Sequence, residues 1–204
     1  IGVRLVGSEM CIRDRYYTAV IRTDLVQPAT LPLFASLAVC DALRERYRID
    51  CQIKWPNDLL LNGKKIVGIL CEVGPDGHSI VVGIGINLAQ PQEYFDAAGL
   101  PHGTSLALQG VSVDMDTDPE WLAQYMTDFG FDRALYTYEA EGFAPYRERY
   151  KALCVNLGRR VTYDGGAGTA VDVDDEGRLI VRDETGDTRV FTGEVSVKGI
   201  YGAV

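Results

Sequence analysis

Lys54 is the first residue that could do chemistry. It sits in Lys54-Trp55-Pro56-Asn57-Asp58, at the end of the apolar stretch "CQIKW", where Pro-Asn-Asp must stop a strand. Two roles fit an ammonium group there. It is a solvated lysine ahead of a turn, the commoner fate of lysines, or a lysine aimed into a pocket. A second lysine, Lys65, heads "KKIVGILCEV", with Gly68 inside that stretch. Taken by itself it reads as a solvated hairpin residue. Gly83 and Gly85 interrupt "SIVVGIGINL", which is apolar on both faces and has the character of a central strand. Glycine weakens a strand, so two at alternate positions need a reason: a ligand or another backbone lying against them, a bulge, or a tight helix contact.

Other chemistries lack their residues. The third position of a dinucleotide fingerprint holds Leu88, and no G-x-x-x-x-G-K-[ST] phosphate loop or H-E-x-x-H exists. The five cysteines (Cys11, Cys40, Cys51, Cys71, Cys154) form no C-x-x-C pair, and the two histidines, His78 and His102, add no pattern. No metal is therefore expected on protein side chains. An odd number of scattered cysteines reads as reduced thiols in a cytoplasmic protein.

These residues need elements to position them. "YYTAVIRT" reads as a strand from Tyr16. Thr30 precedes a helix whose Leu33, Leu37, Cys40, Leu43 and Tyr47 share a face. Asn62-Gly63 predicts a two-residue hairpin pairing Leu59–Leu61 with Lys65–Val73. Pro75-Asp76-Gly77 predicts a turn into the strand that carries Gly83 and Gly85. Residues 90–116 read as an irregular connection. Thr117-Asp118-Pro119-Glu120 has the form of a capping box, starting a helix with Leu122, Met126 and Phe129 that runs to about Glu141. Gly142 interrupts it before "FAPYRERYKAL". From Asn156 onward short strands alternate with turns, the pattern of a small β barrel.

The chain has 204 residues, 47% apolar and 24% charged, enough for a sizeable core. A net charge of −9 argues against a surface for nucleic acid or for an anionic membrane. No apolar run reaches membrane-spanning length, and the N-terminus has no signal-peptide pattern. Residues 1–15, "IGVRLVGSEMCIRDR", show neither period and resemble a translated sequencing adapter, so they are expected to be non-native.

"KWPND" (54–58), "KIVGILCE" (65–72) and "GIGIN" (83–87), in this order, resemble the catalytic core of biotin protein ligases. "EGFAPYRERYKAL" and the terminal strands ending "GEVSVKG" are similar to the same family, so the resemblance covers roughly residues 16 to 204. It implies an α+β fold with a mixed, largely antiparallel sheet and helices packed on it, of the class II synthetase-like kind. Residues 16–155 would form the catalytic domain and 156–204 an SH3-like β barrel. The implied activity is attachment of biotin to a lysine of a biotin carboxyl carrier domain, with ATP and Mg²⁺, through biotinyl-5′-AMP. Lys54 then matches the lysine that brings the biotin carboxylate to the α-phosphate. Gly83 and Gly85 match the strand against which biotin packs. Lys65 matches a residue near the ribose and phosphate of the adenylate, and Asn87 one that contacts adenine. Leu60 and Ile86 match apolar walls. Homodimers are common in that family.

The sequence departs from the family upstream. A loop of the type G-R-G-R-x-G-R-x-W would precede "YYTAVIRT", and Arg4, Arg13 and Arg15 do not reproduce its spacing. This leaves two alternatives: a biotin-binding fragment with little or no ligase activity, and a relative of the lipoate ligases.

Overall fold

In the computed structural model, which describes residues 14–22, 27–74, 78–191, 193 and 195–200, five strands form the first sheet. They are β1 (Asp14–Arg22), β2 (Gln52–Lys54), β3 (Asp58–Leu61), β4 (Lys64–Val73) and β5 (Ser79–Asn87), in the antiparallel order β1-β5-β4-β3-β2. Asn62 and Gly63 take φ of 51° and 76°. This left-handed backbone is what a two-residue hairpin needs; β3 pairs with β4 as expected, although β4 starts one residue earlier, with Lys64 opposite Leu61. β5 lies inside the sheet, between β1 and β4. β1 begins before Tyr16, because Asp14 and Arg15 continue the ladder opposite Asn87 and Ile86. The expectations for residues 1–13 and for the 75–77 turn lie outside the described residues.

The described residues hold five α-helices: α1 (Leu31–Tyr47), α2 (Gln92–Ala97), α3 (Asp118–Tyr125), α4 (Ala134–Glu141) and α5 (Ala144–Leu153), of which α1 packs on β3 and β4 and α5 on β2. The α1 sequence predicts one buried face. The helix is instead buried on nearly all sides through Leu43, because β3 and β4 pack on it from one side and residues 118–133 from another. Ser36, fully buried, satisfies its hydroxyl by donating to the Pro32 carbonyl at 2.8 Å.

Two expectations for residues 117–141 are corrected. Thr117 does not cap α3: its hydroxyl donates to Asp114 Oδ2 at 3.0 Å, and no side chain caps the helix. Asp118 takes over the N-terminus and ties it to α1. Its carboxylate accepts the Asp114 N–H at 2.9 Å, the Tyr47 hydroxyl at 2.8 Å and Arg46 Nε at 2.6 Å. Nor does a regular helix run to Glu141, since residues Met126–Arg133 form a π turn. The wider turn shifts the helical phase, so Phe131 is buried and Phe129 is half exposed. Gly130 lets the turn approach α1, for a Cβ there would sit 3.0 Å from Ala38 Cβ.

The Asp118 cluster gives a testable pH dependence. Burial works to raise the Asp118 pKa, but the Asp114 N–H, Tyr47 and Arg46 outweigh it and hold it below the ordinary carboxylate value. A depressed folded pKa adds stability that is present above the unfolded pKa, about 3.9, and lost as pH falls through the folded value. Asp118→Asn should cost about 2–4 kcal/mol at pH 7, as expected when one partner of a buried pair is removed. In urea titrations that deficit should shrink below about pH 3.9; a deficit that is the same at pH 7 and at acid pH would refute this account.

The last strands form a second antiparallel sheet. They are β6 (Arg160–Tyr163), β7 (Gly166–Val173), β8 (Leu179–Asp183), β9 (Gly186–Val190) and β10 (Ser196–Val197), in the order β10-β6-β7-β8-β9. Mixed α+β architecture with two antiparallel sheets is thus present, with the small C-terminal β module where the SH3-like one is expected. The two sheets share a seam at Trp55, which is 1% exposed. Its indole N–H donates to the Gly177 carbonyl at 2.9 Å, and the Tyr150 hydroxyl donates to the Pro56 carbonyl at 2.9 Å. Trp55→Phe leaves that buried carbonyl without its donor and should cost about 1–3 kcal/mol in denaturant unfolding. An unchanged midpoint would show the bond to be dispensable.

Candidate active site

Side-chain alternation on β5 puts Gly83, Gly85 and Asn87 on one face and Val82, Ile84 and Ile86 on the other, where all three are buried. On β4, Gly68 lies opposite Gly85 and Leu70 opposite Gly83. The result is a strip of sheet surface with bare backbone at three neighbouring positions. At Gly83 the strip is open: a Cβ there would meet nothing nearer than the Leu70 carbonyl at 3.8 Å. At Gly85 the ring of Tyr16, its β1 neighbour, leans over the backbone, and a Cβ would lie 3.2 Å from Tyr16 Cε1.

This strip floors a cleft of about 1060 Å³, a generous size for a small-molecule site. Lys54 and Lys65 both line it. Lys54 is the last residue of β2, opposite Asp58, and is 9% exposed. This burial disposes of the solvated-lysine reading. The Pro-Asn-Asp turn does stop the strand there. Asn57 clamps it to β4, its side-chain amide donating to the Ile69 carbonyl while its own carbonyl accepts the Ile69 N–H at 3.2 Å. Lys65 reaches Asp58 with an Nζ–Oδ1 distance of 2.6 Å. That pair is partly open to water, so its value is orientation more than stability. The Lys65 chain crosses Gly68, where a Cβ would meet Lys65 Cε at 3.3 Å. A glycine at 68 is what allows the ammonium to lie along the floor.

Asn87 stands at the edge of the cleft and joins it to its wall. Its amide donates to the Thr104 carbonyl at 3.0 Å, and its oxygen accepts from Gln90 Nε2 at 3.3 Å. The Lys65 N–H donates to the His102 carbonyl and the Thr104 N–H to the Lys65 carbonyl, each at 2.9 Å. These bonds hold the segment after α2 against β4. Tyr94, Phe95, Leu100 and His102 make that wall, and Ser196, Val197 and Ile200 of the C-terminal module make another.

Five of the seven expected residues therefore meet at one cleft: Lys54, Lys65, Gly83, Gly85 and Asn87. Leu60 and Ile86 do not. Leu60 is fully buried within β3, and Ile86 has the parity that sends it to the opposite face. Arg4 and Arg13, and the side chain of Arg15, lie outside the described residues. The sequence reading missed Tyr16 and Leu70 as floor residues, although alternation from Gly68 reaches Leu70. The wall residues carry no periodic signal.

Among the described residues, Cys51, Cys71 and Cys154 offer no nucleophile here. Burial pushes the thiols of Cys51 and Cys71 up to about 12, and that of Cys154 to about 11. The described residues contain no cluster of three or more His, Cys, Asp or Glu suited to a metal ion. None of their helices is long and apolar enough to cross a membrane.

Residues 16–87 match the biotin/lipoate A/B protein ligase family, and residues 157–198 match the biotin protein ligase C-terminal domain. The chain is 35% identical over 188 residues to the biotin–[acetyl-CoA-carboxylase] ligase of Paracoccus denitrificans, covering 84% of this chain and 74% of that protein. It is 29% identical over 191 residues to the bifunctional ligase/repressor BirA of Bacillus subtilis, covering 89% of this chain but only 58% of that protein. Among solved structures, a biotin protein ligase from Aquifex aeolicus superposes with a TM-score of 0.73 at 25% identity, over 91% of this chain and 83% of that one. The Aquifex enzyme in complex with biotin and ATP superposes with a TM-score of 0.71 at 24% identity, over 91% and 78%.

Proposed function

The chain belongs to the biotin protein ligase family, and from that premise we propose that it joins biotin to a lysine of a biotin carboxyl carrier domain at the cost of ATP. The observation that carries this reading is the meeting of two lysines over a glycine-floored strip in a single cleft. Flat, bare backbone suits a fused-ring ligand that packs by shape, and Gly83 and Gly85 supply it. The first step needs a carboxylate oxygen to bond to the α-phosphorus of ATP while the bond to pyrophosphate breaks. Both partners are anionic, so a held ammonium that touches both lowers their repulsion and stabilises the charge of the transition state. Lys54, set at a clamped strand end, has that role. Lys65 holds the ribose and phosphate side of the adenylate, and Asn87 the adenine side. Leu60 and Ile86 support the floor from the core.

MgATP enters as the substrate complex, with the ion brought by the phosphates. In the second step the amine of the carrier lysine bonds to the acyl carbon of biotinyl-5′-AMP, and AMP leaves with the bridging oxygen. The mixed anhydride has to be shielded from water until then. The free thiols of Cys40, Cys51, Cys71 and Cys154 fit a cytoplasmic setting. Pyrophosphate release by the full-length protein with biotin and MgATP tests the proposal, together with mass spectrometry of an added carrier domain. The reading fails if biotin drives no release, or if lipoate drives it as well as biotin does.

A further inference from the structure

We propose that Asn156 is a positioning residue for Lys54, acting through the backbone N–H of Trp55. This rests on the ligase reading above. The ladder between β2 and β3 ends at Lys54 and Asp58, so the next N–H, that of Trp55, finds its partner outside the sheet. It donates to Asn156 Oδ1 at 2.7 Å, in a buried bond. That N–H belongs to the peptide unit leaving the Lys54 Cα. Anchoring it fixes the Lys54 ψ angle, and with it the direction in which the side chain departs. Asn156 itself is 0% exposed.

The chemistry of the amide supports a selected role. A backbone N–H can only donate, so the Asn156 oxygen must face Trp55. The same oxygen accepts the Cys154 thiol at 3.7 Å. The amide nitrogen is buried with no hydrogen-bond partner among the described residues. Burying an orphaned donor is unfavourable, and an apolar residue of similar size would avoid it. What the asparagine supplies is the acceptor. The surrounding contacts make the anchor rigid: the Val155 N–H donates to the Ile53 carbonyl at 2.9 Å, and Ile53 and Cys154 form an isolated parallel bridge. The start of the C-terminal module thus holds the strand that presents the lysine.

The test compares three variants of the full-length protein for pyrophosphate release with biotin and MgATP. Asn156→Ala should lower kcat about 10- to 100-fold, the scale of a misplaced reacting group, with KM for biotin changed less than about threefold. Asn156→Asp keeps an acceptor oxygen in place and should retain kcat within about threefold even though its Tm falls. Val181→Ala empties part of the second sheet's core without touching Trp55, and should lower Tm while leaving kcat unchanged. The proposal is overturned if Asn156→Ala keeps its kcat, if folded Asn156→Asp loses as much as Asn156→Ala, or if Val181→Ala loses as much kcat at equal Tm. A wild-type protein that releases no pyrophosphate would instead overturn the ligase reading, and this inference with it.

Discussion

Lys54→Ala should slow biotin-dependent pyrophosphate release by about 10²- to 10³-fold, the usual effect of removing one preorganised charge from a developing oxyanion. The loss should fall on the chemical step. Biotin's ring system is proposed to rest on the floor made by β4 and β5, which the substitution leaves alone, so biotin affinity by calorimetry should change much less than the single-turnover rate. The fold should survive as well, because the strand is held by its backbone at Trp55 and by the Tyr150 bond to Pro56. Lys54→Arg should not rescue the rate: the guanidinium is a planar fork and cannot act as a compact point charge at the same place. A Lys54→Ala protein that is folded and keeps a third or more of the rate would remove the lysine from the mechanism.

Gly83→Val should separate ligand binding from stability. A Cβ at Gly83 has room in the protein, with the nearest atom, the Leu70 carbonyl, at 3.8 Å. A β-branched residue also suits a strand better than glycine, so Tm should hold or rise. The added methyl groups project into the cleft, where the ring system would lie. Overpacking typically costs about 1–3 kcal/mol, which corresponds to about 5- to 150-fold in biotin affinity. Gly85 behaves differently, because Tyr16 already occupies the space over it; substitution there should disturb both the fold and the site. Parallel calorimetry and thermal melts decide the matter. Unaltered biotin affinity in Gly83→Val would mean that the bare strip is not where biotin lies.

The reading from sequence went furthest where local chemistry sets local geometry. Asn62-Gly63 demanded a left-handed turn and got one, and the glycines of β5 announced a surface kept bare. Period-2 alternation, applied strictly, would also have excluded Ile86, which shares the parity of Val82 and Ile84. Leu60 was misplaced for another reason: β3 is short and covered on both faces, so its alternation carries no information about the cleft. The capping box failed because Asp118 had a stronger partner on α1, in Arg46 and Tyr47, than anything within the motif. The π turn failed to show because an extra residue per turn erases the 3.6 period on which helix phase is read. The burial of Lys54 was legible only through the motif set, since no single-residue signal distinguishes a buried lysine from an exposed one. The walls at 94–103 and 196–200 are tertiary, and nothing in their residue types points to a shared space.

The seam at Trp55 bears on how the protein comes together in time. The bonds of Trp55 to Asn156 and Gly177 join residues 101 and 122 positions apart, whereas the β3–β4 pair closes across two residues. Loop closure makes the short-range ladder the early event and the seam the late one. During synthesis the glycine strip would thus exist before its lysine is aimed, since Asn156 and Gly177 leave the ribosome long after Lys54 does. A half-made chain would have somewhere for a ligand to rest but no means to activate it. Pulse-labelled hydrogen exchange, with the Trp55 amide gaining protection after the β4–β5 amides, would record that order directly.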